Sequence, residues 1–395
     1  MLRGQMPLRF YDQVLDAPSV LRDGTHRAAT LDATWRRFER SRGRAQITRI
    51  AELTGLDTIG IPVFAAIRPM GRSLSTQQGK GITADAARVS ALMESLETWT
   101  AEHLALPVVR GSARALRGRA VDVRKLPRPR GRLDLDARWR WVEGWELVGG
   151  APVLVPEQAV TLDTTFTRPP VFDISSNGLA SGNVLVEAIV HGLCEVIERD
   201  AEATWRLRAG DRRIVLDTVE DPVCRGLIER ITAAGARVIA WDLAGIVPAI
   251  GAAIIEDPNE PAWRTLGFYQ GFGAHLVPEI ALARALTEAA QTRLTYIAGA
   301  RDDFFPFDYA RATDPELLAG IWAHVTSPCD EPAAFDELPR VTARGLGHEL
   351  ELIVCALRER GFEQVIAVEL THPALGVPVV KVIVPGLATQ IEAMG

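Results

Sequence analysis

The chain has little of what secreted, membrane or nucleic-acid-binding proteins carry. No apolar run is long enough to cross a bilayer. The most apolar stretch, Val238 to Ile255, is broken by Asp242, Gly245, Pro248 and Gly251 and reads as two strands. The opening Met1-Leu2-Arg3-Gly4-Gln5 lacks the apolar core of a secretory signal. Cysteine is scarce. Cys194, Cys224, Cys329 and Cys355 are scattered with no CxxC pair, which reads as reduced core thiols of a cytoplasmic protein and not as a disulfide or zinc framework. Excess basic charge is also missing: the formal net charge of −6 offers no field for phosphate backbones. The expectation is a soluble, cytoplasmic protein with neither nucleic acid nor membrane as a partner.

The usual signatures of nucleotide and hydrolase chemistry are absent as well. Gly79-Lys80-Gly81 has no following Ser or Thr, and Leu74 stands where a phosphate loop would have its first glycine. Gly271-Phe272-Gly273-Ala274-His275-Leu276 fails as a dinucleotide fingerprint, and no HExxH, nucleophile elbow or kinase catalytic loop occurs. A nucleotide bound here would have to be held by metal-bound carboxylates and arginines.

What is present is a globular mix, 47% hydrophobic and 24% charged over 395 residues. Residues 1–45 read as an arginine-rich lead-in with one short helix, Leu31 to Arg40. From 46 to 395 the pattern is one large α+β unit without repeats or linkers. Strands are expected at Ile59–Ile67, Trp141–Leu147, Pro152–Val155, Arg237–Trp241, Ala249–Ile255, Gln364–Glu369 and Val379–Val384. Long helices are expected at Thr83–His103, Val184–Arg208 and Pro278–Ala298, with shorter ones at Cys224–Ala234 and Gly345–Arg360.

The three long helices carry the informative residues. In the second, Glu187, His191, Glu195 and Glu198 fall on one face of a segment that is apolar almost all round. In the first, Glu94 and Glu97 lie three apart amid apolar neighbours; in the third, Arg284, Glu288 and Gln291 share a stripe on an Ala/Leu surface. Carboxylates on a buried stripe repel one another and lose solvation unless a cation sits among them. A structural salt-bridge network and a metal–nucleotide site are both open to such residues. Three helices bringing hard oxygen ligands and arginines together favour Mg²⁺ and nucleotide phosphates.

Taken together these residues resemble the YcaO family over Gly24 to Leu387. The resemblance rests on Gly24-Thr25-His26-Arg27, Ile47-Thr48-Arg49, Thr54-Gly55-Leu56-Asp57, Gly60-Ile61-Pro62-Val63, Gly79-Lys80-Gly81 and the helix with Ser90, Glu94 and Glu97. It continues through Ser176 to Asn183, then Glu187, Glu195 and Glu198-Arg199-Asp200, and then Arg284, Glu288 and Gln291. It implies a fold of repeated α/β sub-blocks around a central ATP/Mg²⁺ site, and a homodimer. It further implies that Glu94, Glu97, Glu187, Glu195 and Glu198 bind Mg²⁺, and that Arg27, Ser90, Asn183, Arg199, Arg284 and Glu288 complete the ATP site. Thr34 is a looser match near the nucleotide. Thr98 departs from the pattern, because many members have Arg there.

The activity so implied is ATP-dependent phosphorylation of a backbone amide oxygen in a peptide or protein substrate. The incoming nucleophile then decides between a thioamide, an azoline and an amidine. Arg293 to Asp303 resembles the subgroup that works with a TfuA-like partner protein, and the C-terminal run Pro385 to Gly395 lacks the Pro-rich tail of azoline-forming members. Both favour thioamidation. A non-catalytic scaffold of the same fold is the contrasting class, and the completeness of the acidic and arginine positions argues against it. Trp141, Trp145, Trp205, Trp241 and Cys194 read as packing residues, and the arginine-rich segments 36–44 and 110–132 as solvated or partner-facing surface. Lys80 reads either as a phosphate contact or as a turn lysine, and His275 as a residue near substrate.

Overall fold

A computed structural model of the chain describes residues 7–129, 131–165, 169–208, 212–258, 267–329 and 331–389. Met1 to Gln5 and the end of the C-terminal run, from residue 390, lie outside them. The chain begins with strands β1 (Arg9–Phe10) and β2 (Gln13–Val14) and helix α1 (Leu31–Phe38). Strands β3 (Arg49–Glu52), β4 (Val63–Ile67) and β5 (Thr76–Lys80) then run into α2 (Ala84–Glu102). Next come β6 (Val109–Ser112), β7 (Arg138–Glu146), β8 (Ala151–Pro156), β9 (Leu179–Ser181) and α3 (Leu185–Leu207). A further block holds β10 (Ile214–Val215), α4 (Pro222–Ala233), β11 (Arg237–Asp242), β12 (Ala249–Ile255), β13 (Tyr269–Ala274) and α5 (Pro278–Ala298). The last elements are α6 (Pro306–Ala312), α7 (Pro315–Thr326), β14 (Ala333–Ala334), α8 (Leu346–Glu359), β15 (Ile366–Glu369) and β16 (Val379–Ile383).

The α+β expectation holds, and the sheets show the repetition. Antiparallel β3-β4-β5 leads into α2, and antiparallel β11-β12-β13 leads into α5. A larger sheet is ordered β6-β7-β15-β16-β9 with β8 on β7, and β9 leads into α3. Each of these helices packs on the strand that precedes it. Two glycines make the close approach possible. A Cβ on Gly79 would stand 1.9 Å from the Ala91 amide nitrogen, and one on Gly271 would stand 2.3 Å from both Ala285 O and Ala289 N. Without side chains at these points, α2 and α5 lie directly on their strands.

The helix ends follow from local chemistry. Thr83 caps α2 by accepting the Ala86 N–H, Pro278 opens α5, and Gly299 closes it in the left-handed region at φ 58°. The apolar interior divides into one cluster around α3, α8, β13 and β16, a second joining α2 to β7, β8 and β15, a third joining α4 and α5 to β11 and β12, and a small fourth at Leu53, Val63, Ala65 and Leu294. Trp141 and Trp241 are buried within these clusters and Cys194 packs in the first, as expected. Among the described residues no helix is long and apolar enough to cross a membrane.

Three readings need correction. The strand expected from Ile59 starts at Val63, because Gly60 turns the chain at φ 72° and Pro62 follows. Gly79 and Lys80 are not a turn: they end β5, paired with Phe64 and Val63. Tyr269–Ala274, whose glycines gave no strand signal, is the edge strand β13. Helices α6 and α7, each opened by a proline, were not anticipated.

Candidate active site

Helices α2, α3 and α5 and strand β5 bring most of the candidate residues together. Glu288 on α5 is central: Oε2 lies 2.7 Å from Lys80 Nζ, and Oε1 lies 3.4 Å from Arg199 Nη2 on α3. The Arg199 guanidinium also reaches Glu198 at 3.2 Å and Glu202 at 3.0 Å. Arg284, one helical turn before Glu288, approaches Glu198 Oε2 at 3.6 Å. Gln291, one turn after, donates to Gln78 O at 2.7 Å and braces α5 against β5. Lys80 is therefore an ion-paired group of the site and not a solvated turn lysine.

The remaining carboxylates complete the cluster electrostatically. Burial pushes Glu94 up to about 7, opposed by Lys80 and Arg301 and reinforced by Glu288. Burial and the charges of Glu195 and Glu94 hold Glu97 well above the usual carboxylate range, although Ser181 hydrogen-bonds to it. Glu195 is likewise lifted to about 7 by burial, against Arg199. Glu198 is raised by burial too, with Arg199 opposing and Glu288 assisting. Glu288 itself goes the other way: burial would raise it, but Lys80 and Arg199 hold it down at about 2. His191, buried beside Arg27, Arg284 and Lys80, is kept well below the usual imidazole range and is neutral.

A second corner lies at the N-terminal end of α3. Glu187 Oε2 accepts the Ala28 N–H at 2.9 Å, Arg27 Nη1 stands 3.5 Å from Oε1, and Asn183 Nδ2 lies 3.3 Å from both oxygens. Thr34 donates to Asn183 Oδ1 at 3.0 Å. Arg27, Thr34, Asn183 and Glu187 thus meet at one corner. Among the described residues, however, Glu187 makes no contact with the other four candidate metal ligands. Ser90 sits half-buried one turn before Glu94 on the same face of α2, and Thr98 turns back onto the Glu94 carbonyl at 2.9 Å.

Sequence reasoning missed two groups. Lys381 on β16 is buried, donates to Ser175 O at 2.5 Å, and is lowered to about 8 by burial despite Glu195, Asp173 and Glu97 nearby. A small cavity of about 50 Å³ lies beside it, lined by Asp173, Asn177, Val196 and Thr389 among others. A lone lysine in the apolar run Val379 to Val384 was the available signal. The second group joins His26, His275 and Glu349, for which periodicity offered no signal because the three come from separate segments.

By chemistry the donor set, all carboxylate oxygens, suits a hard divalent cation, but among the described residues no three of these carboxylates bring oxygens within 4.8 Å of one another. Burial raises all four carboxylates, against nearby cations at Glu94, Glu195 and Glu198, and Glu198 Oε2 is buried with no hydrogen-bond partner. Arg199, Arg284 and Lys80 ring the same volume and suit a polyanion.

Residues 78–388 match the family model described as YcaO cyclodehydratase, ATP- and Mg²⁺-binding. The chain belongs to the YcaO family, and ATP and Mg²⁺ are the cofactors of that family. An uncharacterized protein of Methanothermobacter thermautotrophicus is 39% identical over 352 residues, covering 86% of this chain and 89% of the relative. An uncharacterized protein in the tfuA 3′ region of Rhizobium leguminosarum bv. trifolii is 38% identical over 365 residues, covering 88% and 84%. Among solved structures, YcaO from Methanopyrus kandleri bound with AMPPCP and Mg²⁺ superposes with a TM-score of 0.76 at 27% identity, covering 95% of this chain and 96% of that one. A heterocyclase in complex with substrate and cofactor has a TM-score of 0.79 at 22% identity; this chain spans 55% of its length and shares its fold.

Proposed function

We propose that the protein is an ATP- and Mg²⁺-dependent enzyme that activates a backbone amide oxygen of a peptide or protein so that a nucleophile can replace it. The observation that carries this reading is the set of Glu94, Glu97, Glu195 and Glu198, each raised by burial, beside Arg199, Arg284 and Lys80. Glu94, Glu97, Glu195 and Glu198 would hold Mg²⁺. Glu187 and Asn183, with Arg27, Thr34 and Ser90, would complete the nucleotide site. When bound, the metal–nucleotide supplies a phosphoryl group that turns amide oxygen, a poor leaving group, into phosphate. Arg199 and Arg284 are placed to take up the negative charge that moves, and Glu288 keeps Arg199 and Lys80 oriented. Neutral His191 adds no competing charge.

Oxygen-for-sulfur exchange assisted by a TfuA-like partner is the product chemistry we favour. Its supports are the Arg293–Asp303 run and the relative encoded 3′ of tfuA. Azoline formation is the second reading, favoured by the heterocyclase likeness. Intact-mass analysis of candidate peptides with enzyme, Mg·ATP, sulfide and a TfuA-like protein tests both. A gain of about 16 Da reports sulfur for oxygen and a loss of about 18 Da reports cyclodehydration. No ATP-dependent mass change on any peptide refutes the proposal.

A further inference from the structure

One buried group of titratable side chains has no part in the reading above. Glu349, in the first turn of α8 and 1% exposed, sits between two imidazoles. Its Oε2 lies 3.0 Å from His26 Nδ1 and its Oε1 lies 2.5 Å from His275 Nε2. The two rings stand edge to face with centroids 5.0 Å apart. Burial would raise Glu349, but the two histidines outweigh it and hold the carboxyl down at about 2. The centre of the group is an anion.

The three nearest atoms lie within 4.8 Å of one another, a spacing open to a metal ion. The backbone argues otherwise. The Val277 N–H donates to His275 Nδ1 at 3.1 Å, so in the neutral ring the proton is on Nε2, facing Glu349. A metal at Nε2 would need the proton on Nδ1, aimed at the Val277 N–H. Metal-bound histidines instead donate their second N–H to an acceptor.

The same reasoning orients His26. A carboxylate accepts only, so His26 Nδ1 donates to it and Nε2 keeps its lone pair. Among the described residues nothing pairs with that Nε2, and the side chain is 14% exposed. An imidazole backed by a carboxylate at one nitrogen and bare at the other is the arrangement of a general base. Its position suits the site: the next residue, Arg27, reaches Glu187, Ala28 donates to the same carboxylate, and Arg284 is close enough to act on His275.

We propose that His26 is the catalytic base of the amide-activation reaction, with Glu349 and His275 as positioning residues. The inference rests on that reading of the site. As hydrosulfide adds, the C–S bond forms and the S–H bond breaks, its proton passing to His26 Nε2. The amide C–O bond breaks, its oxygen leaving on the phosphoryl group as phosphate, and the proton then passes from Nε2 to that phosphate. Amide, HS⁻ and ATP become thioamide, ADP and HPO₄²⁻. A Cys, Ser or Thr side chain would give up its S–H or O–H proton to the same nitrogen.

The tautomers can be read without activity. In histidine-¹⁵N-labelled protein at high pH, with signals assigned through His26→Gln, long-range ¹H–¹⁵N spectra should show His26 as Nδ1–H with a bare Nε2. An Nε2–H tautomer overturns the proposal. So does a stoichiometric transition metal in the purified protein that is lost in His275→Gln. With a peptide that the wild type modifies, His26→Gln should lower kcat about 100-fold while KM for ATP stays within about two-fold. Glu349→Gln should also lower kcat with KM for ATP unchanged. An unaltered kcat in His26→Gln removes the base and leaves the amide-activation reading standing. A wild type that modifies no peptide, and that Mg·AMPPCP does not stabilise, removes both.

Discussion

The most exacting residue is Glu198, whose Oε2 is buried with no hydrogen-bond partner, 3.6 Å from an arginine. Buried carboxylates in this state are worth keeping only if a cation completes them. Glu198→Ala and Glu97→Ala are each expected to cut ATP turnover by more than about 100-fold while circular dichroism shows an intact fold. Because both carboxylates are destabilised by burial, the metal-free variants should melt no lower than wild type at pH 8. Arg284→Ala should weaken Mg·AMPPCP binding about ten-fold or more in calorimetry, since one charge-assisted contact to phosphate is lost. At this scale the sequence was informative wherever two functional groups share a helix: Glu94 with Glu97, Glu195 with Glu198, Arg284 with Glu288. It was silent on Lys381 and Glu349, and although His275 was read as a residue near substrate, its meeting with His26 and Glu349 comes only through tertiary packing.

The elements that position these residues depend on bare backbone at two crossings. In Gly79→Val the new side chain would collide with the α2 main chain at Ala87 and Ala91, which cannot yield as a flexible side chain would. Gly271→Ala meets the α5 backbone in the same way. Each is expected to lose about 3 kcal/mol or more in urea unfolding, with ATP turnover falling as the helix is pushed away. Helices α2, α3 and α5 were legible from their apolar patterning and end signals. Strands β5 and β13 were not, because glycines required for close packing look like turn signals in a linear reading. The pairing of β7 with β15 and β16 with β9 joins segments about two hundred residues apart, which no local pattern announces.

For the whole molecule, the carboxylate cluster sets how stability varies with pH. Glu94 and Glu195 stand at about 7 in the folded chain against an ordinary 4.5. A raised folded value contributes stability below 4.5 that is lost as pH climbs through about 7. The metal-free protein should therefore lose stability between pH 5 and 8. Mg²⁺ with AMPPCP should restore it, giving a thermal shift larger at pH 8 than at pH 6 and larger than with Mg²⁺ alone. Equal shifts at both pH values would mean that these carboxylates do not receive the cation. The mixed α+β class was legible from the alternation of patterns, and the lead-in was understood only once Arg27, Ala28 and Thr34 were seen against Glu187 of α3 and Asn183 just before it. The most direct measurement is a crystal structure with AMPPCP and Mn²⁺ in place of Mg²⁺, read by anomalous scattering. Peaks about 2.2 Å from carboxylate oxygens of Glu94, Glu97, Glu195 or Glu198, with phosphates against Arg199 and Arg284, are the predicted result. Manganese bound elsewhere, or those carboxylates left unliganded beside an ordered nucleotide, would contradict it.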